Sequence, residues 1–239
     1  MRRPRILIVD DDLAIIKFVR ANLKAEDFET LTAMDGVEAL ETMERELPDL
    51  VILDLMMPRV DGFEVLRRLR EWSQIPIIVL SARGDATNKV DCLKIGADDY
   101  VSKPFGVEEL IARVRAVLRR AQAIGALPIQ PSFATGDLRI NFAKRQVTVA
   151  GNEVKLTPTE YALLQELVLN ADKVLTHTHL LNKVWGLEYR DEKEYLHVFV
   201  PRLRAKLEPD LANPRYIVTM PGVGYQFNDK AIAQKAHSS

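Results

Sequence analysis

The stretch Arg5–Asp12, "RILIVDDD", sets three aspartates directly behind four apolar residues. A run this apolar and β-branched reads as a strand covered on both faces. Adjacent carboxylates at its end repel one another, so something must favour their being together. One reading is a solvated loop that opens the next helix, with Asp11 or Asp12 as its N-cap. The other is a ligand site, and the rest of the chain has to decide between them.

Outward from that stretch, residues 5–120 alternate between two periods. "RILIV", "FETLTA", "LVILD", "PIIVLSA" and "DYVSKP" read as short strands. Between and after them, "AIIKFVRANLKAE", "GVEALETMERE", "GFEVLRRLREW", "ATNKVDCLKIGA" and "GVEELIARVRAVLRRA" carry apolar residues at helical spacing. Strictly alternating strands and helices predict a doubly wound, five-stranded parallel α/β sheet. In such sheets ligands sit outside the carboxyl ends of the strands. The third strand also ends in an aspartate, Asp54, the fourth in Ser81 and the fifth in Lys103. Several carboxylates in a partly desolvated pocket cannot all stay ionised unaided. A small hard cation resolves this: Mg²⁺ takes oxygen ligands at about 2.0–2.1 Å and completes its shell with water and phosphate oxygens.

The totals exclude several classes. The 239 residues suffice for one large domain or two ordinary ones, and 47% apolar with 28% charged residues is ordinary globular composition. Net charge is −1, split as 19 Lys/Arg against 22 Asp/Glu up to residue 128 and 14 against 12 beyond it. That asymmetry is too mild to announce a nucleic-acid partner. The lone cysteine, Cys92, excludes an intramolecular disulfide and reads as a small apolar helix side chain. "MRRPRILIV" is too short for a signal peptide, and no segment approaches the roughly 18 apolar residues of a membrane span. A cytoplasmic location is expected.

The expected boundaries are 1–121 for the first domain, 122–134 for a linker, 135–228 for a second domain and 229–239 for a tail. "DLRINFAKRQVTVAGNEVKLT" reads as short antiparallel strands turning at Gly151-Asn152. "TPTEYALLQELVLN" opens with Thr157 as N-cap, Pro158 at the first helical position and Glu160 closing a capping box. Helices "HTHLLNKVW" and "KEYLHVFVPRLRAKL" follow, and then the strand pair "YIVTMPGVGYQF". His177 and His179 flank one residue near a helix start, which turns them to different faces and argues against a shared metal.

With "LIVDDD", "LDLMMPRVDG", "VLSA" and "GADDYVSKPF" at the right strand ends, the first half resembles the receiver domain of two-component response regulators. With its second half, an α+β winged helix-turn-helix pattern, the chain resembles the OmpR/PhoB subfamily over nearly its whole length. The "EYL" at 194–196 is similar to the Kdp-type members. The resemblance implies that Asp54 accepts a phosphoryl group from a phosphohistidine on a sensor histidine kinase. Asp11, Asp54 and the backbone carbonyl of Met56 would ligate Mg²⁺, with Asp10 helping through water, while Asp12 is read as a helix cap. Lys103 and Ser81 would hold phosphoryl oxygens, and Ser81 with Tyr100 would form the switch.

It further implies a homodimer on phosphorylation, pairing Lys89 with Glu109, Asp99 with Arg113 and Asp98 with Arg120 around Val90, Leu93 and Ala112. Lys94 and Arg115 depart from the family, both being basic where opposite charges are usual. Leu196, Val200, Leu203 and Leu207 share one face of the last long helix and read as core. The opposite side presents His197, Val198, Pro201, Arg202, Arg204 and Ala205. As a recognition helix in the major groove of double-stranded DNA, it would place Arg202 and Arg204 at phosphates or guanine edges. Arg215 would lie on the wing, and "LEYRDEKE" would face RNA polymerase. Pro201 removes a hydrogen bond to the carbonyl of His197 inside that helix; a bend with DNA binding retained is expected.

Two rivals stand beside this reading. One is a regulator acting through protein contacts because Pro201 has spoiled the DNA helix. The other is a Mg²⁺-dependent phosphatase with an aspartyl nucleophile. Such enzymes need a second aspartate two residues after the nucleophile; here Met56 stands there. The chain is therefore read as a phosphoryl acceptor, not an enzyme, with at most slow self-dephosphorylation.

Overall fold

The computed structural model describes residues 2–82, 86–122 and 131–229. The chain divides into two compact units, Met1–Ala121 and Gln122–Ser239. In the first, strands β1 (Arg5–Val9), β2 (Glu29–Ala33), β3 (Leu50–Asp54), β4 (Ile77–Ala82) and β5 (Asp99–Lys103) alternate with helices. The helices are α1 (Leu13–Ala25), α2 (Gly36–Glu46), α3 (Gly62–Trp72), α4 (Ala86–Ile95) and α5 (Val107–Gln122). All strand pairs are parallel, in the order β2-β1-β3-β4-β5. Ile6, Leu7, Ile8 and Val9 are fully buried, as a strand covered on both faces requires. Ile16, Val19 and Leu23 form the inward stripe of α1, at helical spacing.

The register positions the site. Val9 pairs with Leu53 and Asp54 with Leu80, while Ser81 pairs with Ser102 and Ala82 with Lys103. The ends of β1, β3, β4 and β5 therefore share one rim. Between β1 and β3 the strand order reverses, which is the switch point where open α/β sheets bind ligands.

The second unit opens with a four-stranded antiparallel sheet of β6 (Ser132–Thr135), β7 (Leu138–Asn141), β8 (Gln146–Val149) and β9 (Asn152–Glu153). Its first strand begins at Ser132, inside the stretch expected to be linker. The hairpin turn is Ala150-Gly151, one residue earlier than expected: Asn152 already pairs with Val149, and both turn residues have positive φ (49° and 83°). Helices α6 (Pro158–Leu169), α7 (His177–Val184) and α8 (Lys193–Leu207) follow. A second sheet combines β10 (Val174–Thr176) with the hairpin of β11 (Ile217–Met220) and β12 (Gly224–Phe227). The predicted capping box is present: Glu160 N donates to Thr157 Oγ1, and Thr157 N donates to Glu160 Oε2 at 2.8 Å. Trp185, Tyr189, Tyr195, Phe199, Tyr216 and Phe227 fill the core. The α8 helix continues unbroken through Pro201. The expected tail, apart from Asp229, lies outside the described residues.

Candidate functional site: an acidic rim and the exposed face of α8

At the rim, Asp10, Asp11 and Asp54 bring carboxylate oxygens within 4.8 Å of one another. Asp10 and Asp54 are 0% and 4% exposed, whereas Asp11 is open to solvent. The Lys103 ammonium lies 2.7 Å from Asp10 Oδ2 and 3.0 Å from Asp54 Oδ1. Burial raises the Asp54 pKa above the ordinary aspartate value; Lys103 opposes this, and Asp10 and Asp11 reinforce it. For Lys103, burial works against the charged form, but hydrogen bonds to Asp10 and Asp54 outweigh it and raise its pKa. The Ser81 hydroxyl is fully buried without a hydrogen-bond partner. An orphaned hydroxyl one residue past the neighbour of Asp54 is a costly feature unless a further acceptor arrives there.

Asp12 is the helix cap of α1: its side chain accepts from Ala14 N at 2.7 Å, and its own N–H donates to Asp10 Oδ1 at 2.9 Å. The second bond also orients Asp10. The Met56 side chain is 67% exposed in the loop after β3. That loop is pinned by Leu55 N to Leu80 O at 3.2 Å and Gly62 N to Leu55 O at 3.0 Å. A Cβ on Gly62 would stand 2.2 Å from the carbonyl oxygen of Asp54, so only glycine lets α3 start this close to the site. Arg59 is ion-paired with Asp35, the N-cap of α2, and ties the loop at its far side. Sequence reasoning missed that pair; nothing in the spacing of 35 and 59 announces it.

Tyr100 is 5% exposed, and its N–H donates to Asp99 Oδ1 at 2.7 Å. The residues expected at a dimer surface divide. Lys89, Val90, Glu109, Ala112 and Arg113 keep accessible surface. Leu93, Asp98 and Asp99 are 0% exposed and Arg120 3%, so these four do not lie on the surface of the chain. Within the single chain Asp98 meets Arg70 at 3.0 Å and Ile77 N at 3.1 Å. Asp99 takes both Arg113 at 3.0 Å and Arg120 at 3.8 Å within the same chain.

In the second unit Leu196, Val200, Leu203 and Leu207 are buried as expected. The opposite face is narrower than a helical wheel implies, because α6 and α7 both pack against α8. Val198 is 5% exposed and belongs to the core, a correction of its groove-facing assignment. Arg202 is also corrected: its side chain is 11% exposed, ion-paired to Glu160 at 2.7 Å and stacked over Phe199 at 4.6 Å. Lys206 adds a second cation to the fully buried Glu160 at 2.6 Å. Burial pushes the Glu160 carboxyl up, but Arg202 and Lys206 overcome it and hold the pKa below the usual value. Arg204 donates to Ile217 O at 2.7 Å and Thr219 Oγ1 at 2.8 Å, fastening α8 to the hairpin. Glu208, missed in the sequence, caps the same junction by accepting from Arg215 N, Tyr216 N and Ile217 N at 2.7, 2.9 and 2.8 Å. Arg215 stays 41% exposed, and His197 is exposed.

The two units match known families separately. Residues 6–115 match the response regulator receiver domain family, and residues 151–227 match the family of the C-terminal part of transcriptional regulatory proteins. The transcriptional regulatory protein KdpE of Mycobacterium tuberculosis is 43% identical over 222 residues, 93% of this chain and 98% of the relative. The KDP operon transcriptional regulatory protein KdpE of Escherichia coli is 45% identical over 225 residues, 93% and 98% of the two chains. Among solved structures, a mutant of RitR aligns with a TM-score of 0.77 at 26% identity, over 94% of this chain and 98% of that one. DrrB of Thermotoga maritima, an OmpR/PhoB homolog, aligns with a TM-score of 0.51 at 32% identity, over 95% and 100%. No helix among the described residues is long and apolar enough to cross a membrane. A receiver sheet with an acidic rim, joined in one chain to a transcriptional regulatory domain and matched over nearly full length, identifies the chain as a two-component response regulator of the OmpR/PhoB type.

Proposed function

We propose that Asp54 is the phosphoryl acceptor of this regulator, that Mg²⁺ supports the transfer, and that the modification controls DNA binding by the second unit. The carrying observation is the unbalanced charge of the rim: three carboxylates converge on one ammonium. The donor set is oxygen only, which suits a hard cation. Asp11, Asp54 and the Met56 carbonyl would hold it, with Asp10 acting through water. When bound, the ion neutralises the surplus negative charge and gives the incoming phosphoryl oxygens a ligand.

The chain's own groups do the rest. Asp54 supplies the nucleophilic carboxylate, in a position fixed by the β3 register and by the close approach of Gly62. Lys103 can turn from Asp10 and Asp54 toward a phosphoryl oxygen, acting as a point charge. The unpartnered Ser81 hydroxyl supplies a hydrogen bond to another. In this mode catalysis is positioning and neutralisation of an in-line transfer. A phosphohistidine on a sensor kinase is the physiological donor in this reading, and acetyl phosphate serves in vitro.

Movement of Ser81 toward the phosphoryl group alters the packing of Tyr100 and with it the α4–β5–α5 face. Dimerisation there rests on the residues that remain accessible: Lys89, Val90, Glu109, Ala112 and Arg113. The exposed Leu187 and Glu188 after α7 make a surface for RNA polymerase. The test is affinity for duplexes selected from random DNA, measured with and without beryllofluoride and Mg²⁺. Tighter binding with the phosphoryl mimic is expected; equal affinity in both states contradicts the coupling.

A further inference from the structure

The accessible stripe of α8 is almost free of the cations expected to read DNA. Lys193, His197, Pro201 and Ala205 are exposed at intervals of four and line one edge of the helix, with Glu194 beside Lys193. Arg202 and Lys206 are drawn onto Glu160, and Arg204 onto the hairpin. The middle of the stripe is thus an imidazole, a pyrrolidine ring and a methyl group. The imidazole is braced. His197 stands edge-on to His177 with ring centroids 6.2 Å apart, and His177 stands edge-on to Tyr225 at 5.6 Å. The backbone of His177 is itself fastened to the wing, its N–H donating to Val223 O at 3.1 Å.

We infer that base readout by α8 runs through His197, Pro201 and Ala205, and that Pro201 and Ala205 read the 5-methyl group of thymine. The inference rests on the proposed DNA-binding role and deepens it. In the major groove guanine presents two acceptors, adenine an acceptor with a donor, and thymine an apolar methyl beside a carbonyl. Pro201 offers no donor, not even a backbone N–H. Ala205 offers only its methyl, since its N–H lies within the helical ladder. Neither can reward guanine; both can cover a thymine methyl. In the middle of the stripe His197 is the polar reader, able to donate to a purine N7 or to guanine O6, while Lys193 lies at the first helical position, where it can meet a phosphate. A proline placed here is then a specificity device, and its missing hydrogen bond falls on the solvent side, where water can serve the His197 carbonyl.

The test uses the full chain. A binding site is first selected from random duplexes. Each thymine in it is then replaced in turn by deoxyuridine, which deletes the methyl and nothing else. At one or more positions affinity should fall about fourfold, the equivalent of one buried methyl group. Pro201→Ser should abolish the penalty at one such position and leave the others. The inference is overturned if every thymine tolerates uracil, or if all penalties persist in both Pro201→Ser and Ala205→Ser. A selected site with indifferent thymines overturns this inference alone. Failure to enrich any sequence overturns the DNA-reading role along with it.

Discussion

Each unit of the molecule buries a charged cluster, and the two are built in opposite ways. At the receiver rim three carboxylates, Asp10, Asp11 and Asp54, meet one ammonium, and the hydroxyl of Ser81 is left without a partner. In the winged unit one carboxylate, Glu160, meets two cations and closes a capping box as well. The first cluster carries surplus charge of one sign and is open at Asp11. The second sets one fully buried carboxylate against two cations, so it carries no surplus of negative charge. Like-charge surplus costs free energy until a ligand arrives, so it marks a site. A charge-paired cluster marks a fastening, here of α8 to α6.

That contrast fails if the two clusters respond alike to substitution. The largest effect is on chemistry: Asp54→Asn should reduce phosphoryl incorporation from acetyl phosphate to background, measured by intact mass. The same substitution in metal-free buffer should leave the receiver at least as resistant to urea, because it removes one of several mutually repelling charges. Glu160→Gln should do the reverse. It leaves two cations without a counter-charge and should cost about 3 kcal/mol, read as a lower urea midpoint for the winged unit. Equal losses at both sites would erase the distinction.

Acid sharpens it, because the two groups shift in opposite directions. The folded-state pKa of Glu160 lies below its unfolded value. Its stabilisation is complete above the ordinary glutamate range and is lost as pH falls through that range toward the depressed value. The folded-state pKa of Asp54 lies above its unfolded value. In the absence of metal it destabilises the fold increasingly as pH rises from the ordinary aspartate range through the raised value. Urea midpoints of the two units across acidic pH, in metal-free buffer, should therefore respond in opposite senses.

Smaller effects follow on the helix and the cap. Pro201→Ala should stabilise the winged unit by about 1–3 kcal/mol, since proline is the poorest residue for a helix interior. No gain in thermal midpoint would mean that the surrounding packing already offsets the missing bond. Asp12→Ala should cost about 1 kcal/mol of receiver stability while leaving the stoichiometry of Mg²⁺ binding unchanged. A loss of the metal would move Asp12 from cap to ligand.

The strand ends were legible in the sequence because topology acts on the backbone. Once "RILIV", "LVILD", "PIIVLSA" and "DYVSKP" are parallel neighbours, the residues that follow them must share a rim, whatever their rotamers. Long helix side chains carry no such guarantee. Arg202 was assigned to the groove from its angular position, yet its stem lets the guanidinium curl back to Glu160. Val198 went wrong for another reason: a two-sided helical wheel presumes one packed face, and α8 is covered by α6 and α7 together. The Arg70–Asp98 contact within one chain was not legible either, because it depends on the packing of residues twenty-eight positions apart. Glu160 was legible only as half of a capping box, since its second role depends on residues more than forty positions away.

The central claim is tested most directly by locating the phosphoryl group. The full chain is incubated with acetyl phosphate and Mg²⁺, reduced with borohydride to convert aspartyl phosphate to homoserine, and mapped by peptide mass. Conversion confined to Asp54, and abolished when the metal is chelated, is the predicted result. Conversion at another aspartate, or undiminished conversion at Asp54 without divalent metal, would contradict it.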